Sequence, residues 1–386
     1  MKNKWETKKL GEVILDIKDG GTPSRKKKEY FEGDVNWCVV KDIKPKIFET
    51  KEKLTKEGLR KCSAKVWPVN SVIISLGATI GKVGLAKVPL ATKQGLSGIV
   101  VDKKKISPNF LIYFLNYKKD FIQSIATGTT IKEVRPPKLK ESLIIPIPPL
   151  QTQKAIVKIL DEVFESISKS KENAEKNLEN AKELFESYLE EVFSNPKEDW
   201  EEKKLGEVCE VIAGQSPEGK YYNKNGEGLP FYQGKKEYGS KYLRKPNTWT
   251  TKITKEAENG DILMSVRAPV GPINFSTQKI CIGRGLAAIR GGKKIDREFL
   301  FYHLLKHEKS ITGNTGAVFN SINKSQIESI NLIVPPLPEQ TQIVSKLNSL
   351  SKEIKELESI YQQKINSLEE LKKSMLQKAF SGELND

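Results

Sequence analysis

The residues best equipped for chemistry lie in glycine-rich, basic stretches, and their types suit the recognition of nucleic acid more than the making of bonds. In the first half, residues 20–28 carry Ser24, Arg25, Lys26, Lys27 and Lys28 behind a Gly-Gly pair. Lys82 follows Gly77-Ala-Thr-Ile-Gly81, Lys93 and Gln94 precede Gly95, and residues 127–135 carry Thr129, Lys132 and Arg135. The second half offers Gln215, Ser216, Tyr221, Tyr222, Lys235, Lys236, Arg267 and Arg284, then Asn314, Thr315 and Asn320 in residues 312–320. Arg and Lys pair with guanine edges or phosphate, Asn and Gln pair with adenine, and glycine lets a backbone come close. These are the candidate DNA-binding residues.

Each of these signals has a plainer reading beside it. Gly77-Ala-Thr-Ile-Gly81-Lys82 resembles a phosphate loop but is one residue short and has Val83 where Ser or Thr is needed, so a tight turn is expected. His303 and His307 stand four apart with no third ligand or catalytic Glu between them, which reads as an ordinary helix face. Residues 25–28 suit phosphate contact or a solvated loop, and Arg267 suits a base contact or a structural pairing. Trp5 and Trp200 read as core anchors. No nucleophile elbow, Cys/His pair, dinucleotide fingerprint or adenine-methyltransferase motif is found, so neither a catalytic residue nor a metal or other cofactor is expected.

Composition narrows the class. The chain has 386 residues and a formal net charge of +16. Residues 1–150 hold 30 Lys+Arg against 15 Asp+Glu, and residues 151–195 hold 6 against 10. Residues 196–338 hold 22 against 16, and residues 339–386 hold 7 against 8. Two basic blocks thus alternate with two slightly acidic ones, which suits nucleic-acid-facing domains on a solvated or protein-facing spacer. There is no apolar run long enough for a membrane span and no apolar signal region after Met1. Cys38, Cys62, Cys209 and Cys281 have no metal or disulfide spacing, and a reducing cytoplasm is the default.

The elements that must position the loops are written twice. Trp5-Glu-Thr-Lys-Lys-Leu-Gly-Glu-Val13 returns as Trp200-Glu-Glu-Lys-Lys-Leu-Gly-Glu-Val208, and Asn70-Ser-Val-Ile-Ile-Ser75 returns as Gly260-Asp-Ile-Leu-Met-Ser265. Gly95-Leu96 returns as Gly285-Leu286, and Phe110-Leu-Ile-Tyr-Phe-Leu115 as Phe299-Leu-Phe-Tyr-His-Leu304. Within a copy, residues 72–76, 97–101 and 143–147 read as strands, and 108–121 reads as a helix entered by Ser107-Pro108. The second copy places that helix at 296–306. Helices are too few for βαβ repetition, so the fold class is α+β.

Each copy ends in Pro-Pro-Leu and a long heptad helix. The second has apolar or long side chains at Ile343, Leu347, Leu350, Ile354, Leu357, Tyr361, Lys364, Leu368, Leu371 and Met375. The first repeats that register at Ile156, Leu160, Val163, Ile167, Ser170, Ala174, Asn177, Ala181, Leu184 and Tyr188. Small residues in the middle of one seam face bulky ones in the other if the helices run antiparallel, so an intramolecular antiparallel coiled coil is expected. Two separate amphipathic helices, each packed on its own domain, are the alternative. The domain scheme is 1–150, helix 151–195, domain 196–338, helix 339–386.

The doubled Trp5 and Trp200 starts, Ser265-Val-Arg-Ala-Pro-Val-Gly271 and Pro335-Pro-Leu-Pro-Glu-Gln-Thr-Gln342 resemble the specificity subunit of type I restriction-modification systems along the whole chain. The resemblance implies two target recognition domains, each reading half of a bipartite DNA site. It implies helices that act as a ruler and dock two modification (methyltransferase) subunits, with restriction subunits joining, and no catalytic residue in this chain. A helix of about 40 residues, roughly 60 Å long, would span grooves one DNA turn apart. The first copy departs from the second in having Gly77-Ala-Thr-Ile for Arg-Ala-Pro-Val and in lacking the Pro-Glu before Gln153. The competing readings are a coiled-coil scaffold whose globular parts bind protein, and an enzyme with its own active site.

Overall fold

The computed structural model describes residues 5–130, 132–312 and 321–385. The chain divides into two compact units, the first of residues 1–174 and 363–386, the second of residues 175–362. Each unit therefore holds one globular domain and half of each long helix, Leu150–Ser194 and Leu337–Ser381.

The first unit is built on a five-stranded sheet in the order Ile14–Asp19, Leu96–Val101, Val72–Ser75, Val83–Ala86, Lys46–Ile47. All pairs are antiparallel except the last. A four-stranded sheet of Glu52–Leu54, Val35–Cys38, Leu90–Thr92 and Val66–Trp67 lies against it. Trp67 is fully buried and can lie flat on the first sheet only because Gly98 has no side chain: a Cβ there would sit 2.2 Å from the indole. The opening strand Glu6–Lys9 pairs antiparallel with Ile144–Ile147, which brings the start and end of the domain together. The helix Pro108–Tyr117 begins as its sequence suggests, with the Ser107 hydroxyl accepting from Phe110 N–H and proline at the first position. It closes the core with Phe110, Phe114 and Leu115, and a second helix, Lys119–Ser124, follows.

The second unit repeats the plan with Cys209–Ala213, Leu286–Gly291, Ile262–Ser265 and Ile273–Phe275 in one sheet. Glu201–Lys204 pairs with Asn331–Val334, and Arg297–Thr312 takes the place of the first unit's core helix. Asn70 (φ 68°) and Gly260 (φ +90°) hold the same left-handed turn ahead of their strands, where an asparagine or glycine is least strained.

The start of each long helix is fixed by a buried glutamine that the heptad pattern does not reveal. Gln153 accepts from Ser107 N–H at 2.8 Å and donates to the carbonyls of Lys105 and Pro148, both at 2.9 Å. Gln340 repeats this with Asp296 N–H (2.7 Å), Lys294 (3.1 Å) and Pro335 (2.8 Å). Both side chains are fully buried.

Within the first unit the helix halves run antiparallel. Ile156, Val157 and Leu160 share a core with Leu376, Ala379 and Phe380, while Lys171 Nζ meets Glu369 Oε1 at 2.6 Å. Within the second, Leu189 and Phe193 share a core with Leu347, and Lys182 and Phe185 face Ile354 and Glu358 across a cleft of about 650 Å³. The expected seam is only partly kept. Ile156, Leu160, Ile167, Ala174 and Ala181 are buried, but Asn177, Leu184, Leu357, Lys364 and Leu371 are exposed. A straight α-helix drifts about 20° per heptad from a strict seven-residue stripe. The buried face here drifts with it, from Ala181 to Phe185 and Leu189, because each half also packs on its own domain.

Candidate nucleic-acid interface

In the first unit the predicted loops converge on one end of the five-stranded sheet. The strand Ile14–Asp19 ends there, Val72–Ser75 ends there, and Leu96–Val101 begins there. Backbone bonds lace the loops together: Gly20 N–H to Leu96 O (2.9 Å), Gly21 N–H to Thr92 O (3.0 Å), Leu76 N–H to Gly95 O (2.8 Å) and Val134 N–H to Leu76 O (2.8 Å). Ser24, Lys26, Lys82, Gln94, Thr129, Lys132 and Arg135 are exposed on these loops, and Lys93 is half-buried. Lys27 Nζ lies 5.3 Å from the Tyr30 ring, and Lys28 opens a short 3-10 turn.

Arg25 is differently placed. Its guanidinium is paired in bidentate fashion with Glu52 and stacks over Phe31 (4.5 Å) and Trp37 (4.9 Å). That is a structural pairing between the loop and the second sheet, and it leaves Lys26, Lys27 and Lys28 as the cations available to phosphate from this stretch.

The second unit builds the same end. Gly214 N–H donates to Leu286 O (2.9 Å), Gln215 N–H to Ile282 O (3.0 Å) and Val266 N–H to Gly285 O (3.0 Å). Ser216 Oγ accepts from Arg284 N–H at 3.1 Å, and Gly285 N–H reaches Gln233 O at 3.2 Å. Arg267 and Arg284 are exposed; among the described residues neither guanidinium makes a hydrogen bond or ion pair, and the charge of Arg284 acts on the Tyr222 hydroxyl. Tyr221 lies under Lys220 and Lys252 at 5.2 and 5.1 Å. Tyr222 stacks on Phe231 at 4.8 Å and donates to Pro217 O at 2.8 Å, so it supports the loop from within. Lys235 and Lys236 are exposed on the 3-10 turn after Gln233. Asn314, Thr315 and Asn320 lie outside the described residues.

One acid also stands among the loops at the sheet end of the first unit. Asp19, at the end of its strand, accepts from Gly95 N–H and Ser97 Oγ at 3.4 Å each, and burial raises its carboxyl above the usual range against those bonds. Gln233, exposed beside Gly285, was part of a noted loop but was not singled out. The signal for Asp19 was its position immediately before Gly20-Gly21.

Among the described residues the cysteines are not activated as nucleophiles. Burial pushes the Cys38 and Cys209 thiols up to about 12, so they are protonated at neutral pH. Among the described residues no cluster of His, Cys, Asp and Glu could hold a metal ion. Arg290 is held by Asp261 at 3.0 and 2.8 Å, a structural clamp between a strand and a turn.

A family model described as the type I restriction modification DNA specificity domain matches the chain twice, over residues 2–180 and 197–370. The chain belongs to the type I specificity family. The putative type I restriction enzyme MjaX specificity subunit of Methanocaldococcus jannaschii is 33% identical over 405 residues, covering 98% of this chain and 93% of the relative. The EcoR124I/EcoR124II specificity subunit of Escherichia coli is 31% identical over 202 residues, about half of each chain. Among solved structures, a chain from work on the assembly and conformational transition of a type I R-M system superposes with a TM-score of 0.87. It is 28% identical over 98% of both chains. The HsdS subunit of Thermoanaerobacter tengcongensis gives a TM-score of 0.64 at 29% identity, over 98% of this chain and 97% of that one. The specificity fold thus has two tandem mixed domains with a long central and a long C-terminal helix, as the repeat implied. The scaffold reading without DNA specificity finds no support in these matches, and no helix among the described residues is long and apolar enough to cross a membrane.

Proposed function

We propose that this chain is the non-catalytic, sequence-specific DNA-binding subunit of a type I restriction-modification complex working in the cytoplasm. Domain 1–150 reads one half of a bipartite target and domain 196–338 the other. The helices 151–195 and 339–386 set the spacing and dock two modification subunits, which supply the methyl-transfer chemistry, and restriction subunits join that core. The observation that carries this reading is the sheet end built twice. The same hydrogen-bonded framework, Gly20 to Leu96 and Gly214 to Leu286, carries different exposed side chains in each copy. A shared scaffold with unlike loops is what two readers of unlike half-sites require. Exposed Leu184, Leu357 and Ile360 on the helices of the second unit supply apolar area for a partner.

The test is a domain exchange. Residues 1–150 are replaced by the first domain of another specificity subunit, and methylation of a duplex panel is measured with modification subunits present. The expected result is a change in one half-site with the other retained. If both halves change together, or if the unaltered chain binds all sequences equally at every salt concentration, the reading fails.

A further inference from the structure

Three positions at the sheet ends are structurally equivalent in the two units and chemically different. Gly20 and Gly214 make the same bond to Leu96 and Leu286, so the residues before them, Asp19 and Ala213, correspond. Leu76 and Val266 make the same bond to Gly95 and Gly285. That equates the residues after the strands, Gly77 and Arg267, and those before the glycines, Gln94 and Arg284. The first unit thus presents one negative charge and an amide where the second presents two guanidiniums.

The phosphate backbone is the same at both half-sites, so a residue that only touches phosphate has no reason to carry a charge in one copy and none in the other. A residue that meets base edges does. An ionised carboxylate only accepts hydrogen bonds, so its base partner must offer an amino group, cytosine N4 or adenine N6. A glutamine amide matches adenine N6 and N7, and a guanidinium, which only donates, matches guanine O6 and N7.

We propose that these positions set the base class of each half-site: Asp19 and Gln94 select an amino-bearing base, adenine or cytosine, and Arg267 and Arg284 select guanine. This rests on the specificity reading above. Asp19 is suited to the role because it is only half-buried and its bonds to Gly95 N–H and Ser97 Oγ are long, 3.4 Å each. The raised carboxyl of Asp19 means that a donor from outside would be welcome there.

The experiment selects bound duplexes from a randomised pool, using the full chain assembled with modification subunits, and sequences them. Arg284→Gln and Gln94→Arg exchange exposed side chains that make no hydrogen bond or ion pair among the described residues, and Asp19→Asn keeps an acceptor for Gly95 N–H and Ser97, so folding is preserved. The unaltered protein is expected to select guanine in one half-site. Arg284→Gln should weaken that choice about 10- to 100-fold at one position and leave the other half untouched. Asp19→Asn should relax an adenine or cytosine in the opposite half, and Gln94→Arg should shift a position there toward guanine. If the variants weaken binding to all sequences alike, the side chains contact phosphate and the assignment is overturned. If the unaltered protein selects no sequence at all, the specificity reading falls first.

Discussion

Replacing His303 with phenylalanine should cost the second unit stability at neutral pH and remove its sensitivity to acid. The imidazole is 2% exposed, packed edge-on to Phe193 with ring centres 4.8 Å apart, and its Nε2 accepts from Ile333 N–H at 3.2 Å. Nδ1 has no hydrogen-bond partner among the described residues. Burial first, then the charge of nearby His307 and Lys306, lowers the imidazole pKa from 6.5 to about 3. Between those values the unfolded chain binds a proton that the folded chain refuses. The contribution of the neutral ring is therefore fully present above the unfolded pKa and is lost as pH falls toward the folded one. At about pH 4.5 the loss is on the order of 2–3 kcal/mol.

The phenylalanine variant leaves the Ile333 N–H without an acceptor, at a cost of about 1–3 kcal/mol. The first unit avoids that cost. Phe114 occupies the place of His303 and packs on Phe380, and the strand position matching Ile333 is Pro146, which has no N–H to satisfy. Adding Ile333→Pro to His303→Phe should thus return about 1–2 kcal/mol relative to the sum of the single changes. Urea unfolding near pH 7.5 and pH 4.5 gives the energies, and amide exchange along Asn331–Val334 places them in the second unit. If His303→Phe stays as acid-sensitive as the parent, or the double variant is merely additive, the coupling argued here does not exist.

Gln340→Met should lose three buried hydrogen bonds and destabilise the second unit by about 2–4 kcal/mol, seen as faster exchange at the start of Arg297–Thr312 but not in Pro108–Tyr117. Gln153→Met should show the converse pattern. Ser351→Phe should occupy part of the 650 Å³ cleft of the second unit, since Phe164 at the matching place in the first unit packs between Tyr113 (5.4 Å) and Lys372 (5.1 Å). A rise of about 1 kcal/mol in unfolding free energy is expected, and a fall would mean that the cleft does not accept a ring. Inserting seven in-phase residues near both Asn173 and Ile360 lengthens each helix by about 10 Å. Methylation across duplexes of varied spacer should then prefer a spacer about three base pairs longer with both half-sites unchanged, and retention of the original spacer would remove the ruler role from the helices.

The doubling of the fold was legible because framework residues recur in order: the Trp5 and Trp200 starts, the paired strands and the Pro-Pro-Leu exits all survive as local strings. The gathering of the loops was not, since it depends on bonds such as Gly20 to Leu96 that join residues far apart in the chain. The heptad pattern predicted the helices and their antiparallel sense but overstated the seam. Leu184 and Leu357 continue a seven-residue count while the actual buried face follows Phe185 and Leu189 onto the domain. Asp19 is not legible as a loop residue from composition, because only the Gly20-Gly21 pair after it sets it apart from the other strand-end acids of this chain.

The two copies also differ in two distinct ways, and the distinction separates fold from reading surface. Framework differences come with a compensating neighbour: His303 with Ile333 against Phe114 with Pro146. A buried donor or acceptor cannot change alone without leaving its partner unsatisfied, so such positions move in pairs. At the sheet ends Gln94 and Arg284, or Gly77 and Arg267, differ with no hydrogen bond or ion pair made by either side chain among the described residues. Side chains that can change singly are those whose partner is not in the chain, and it is on that ground that the base edge is proposed above as the partner of Arg267, Arg284 and Gln94.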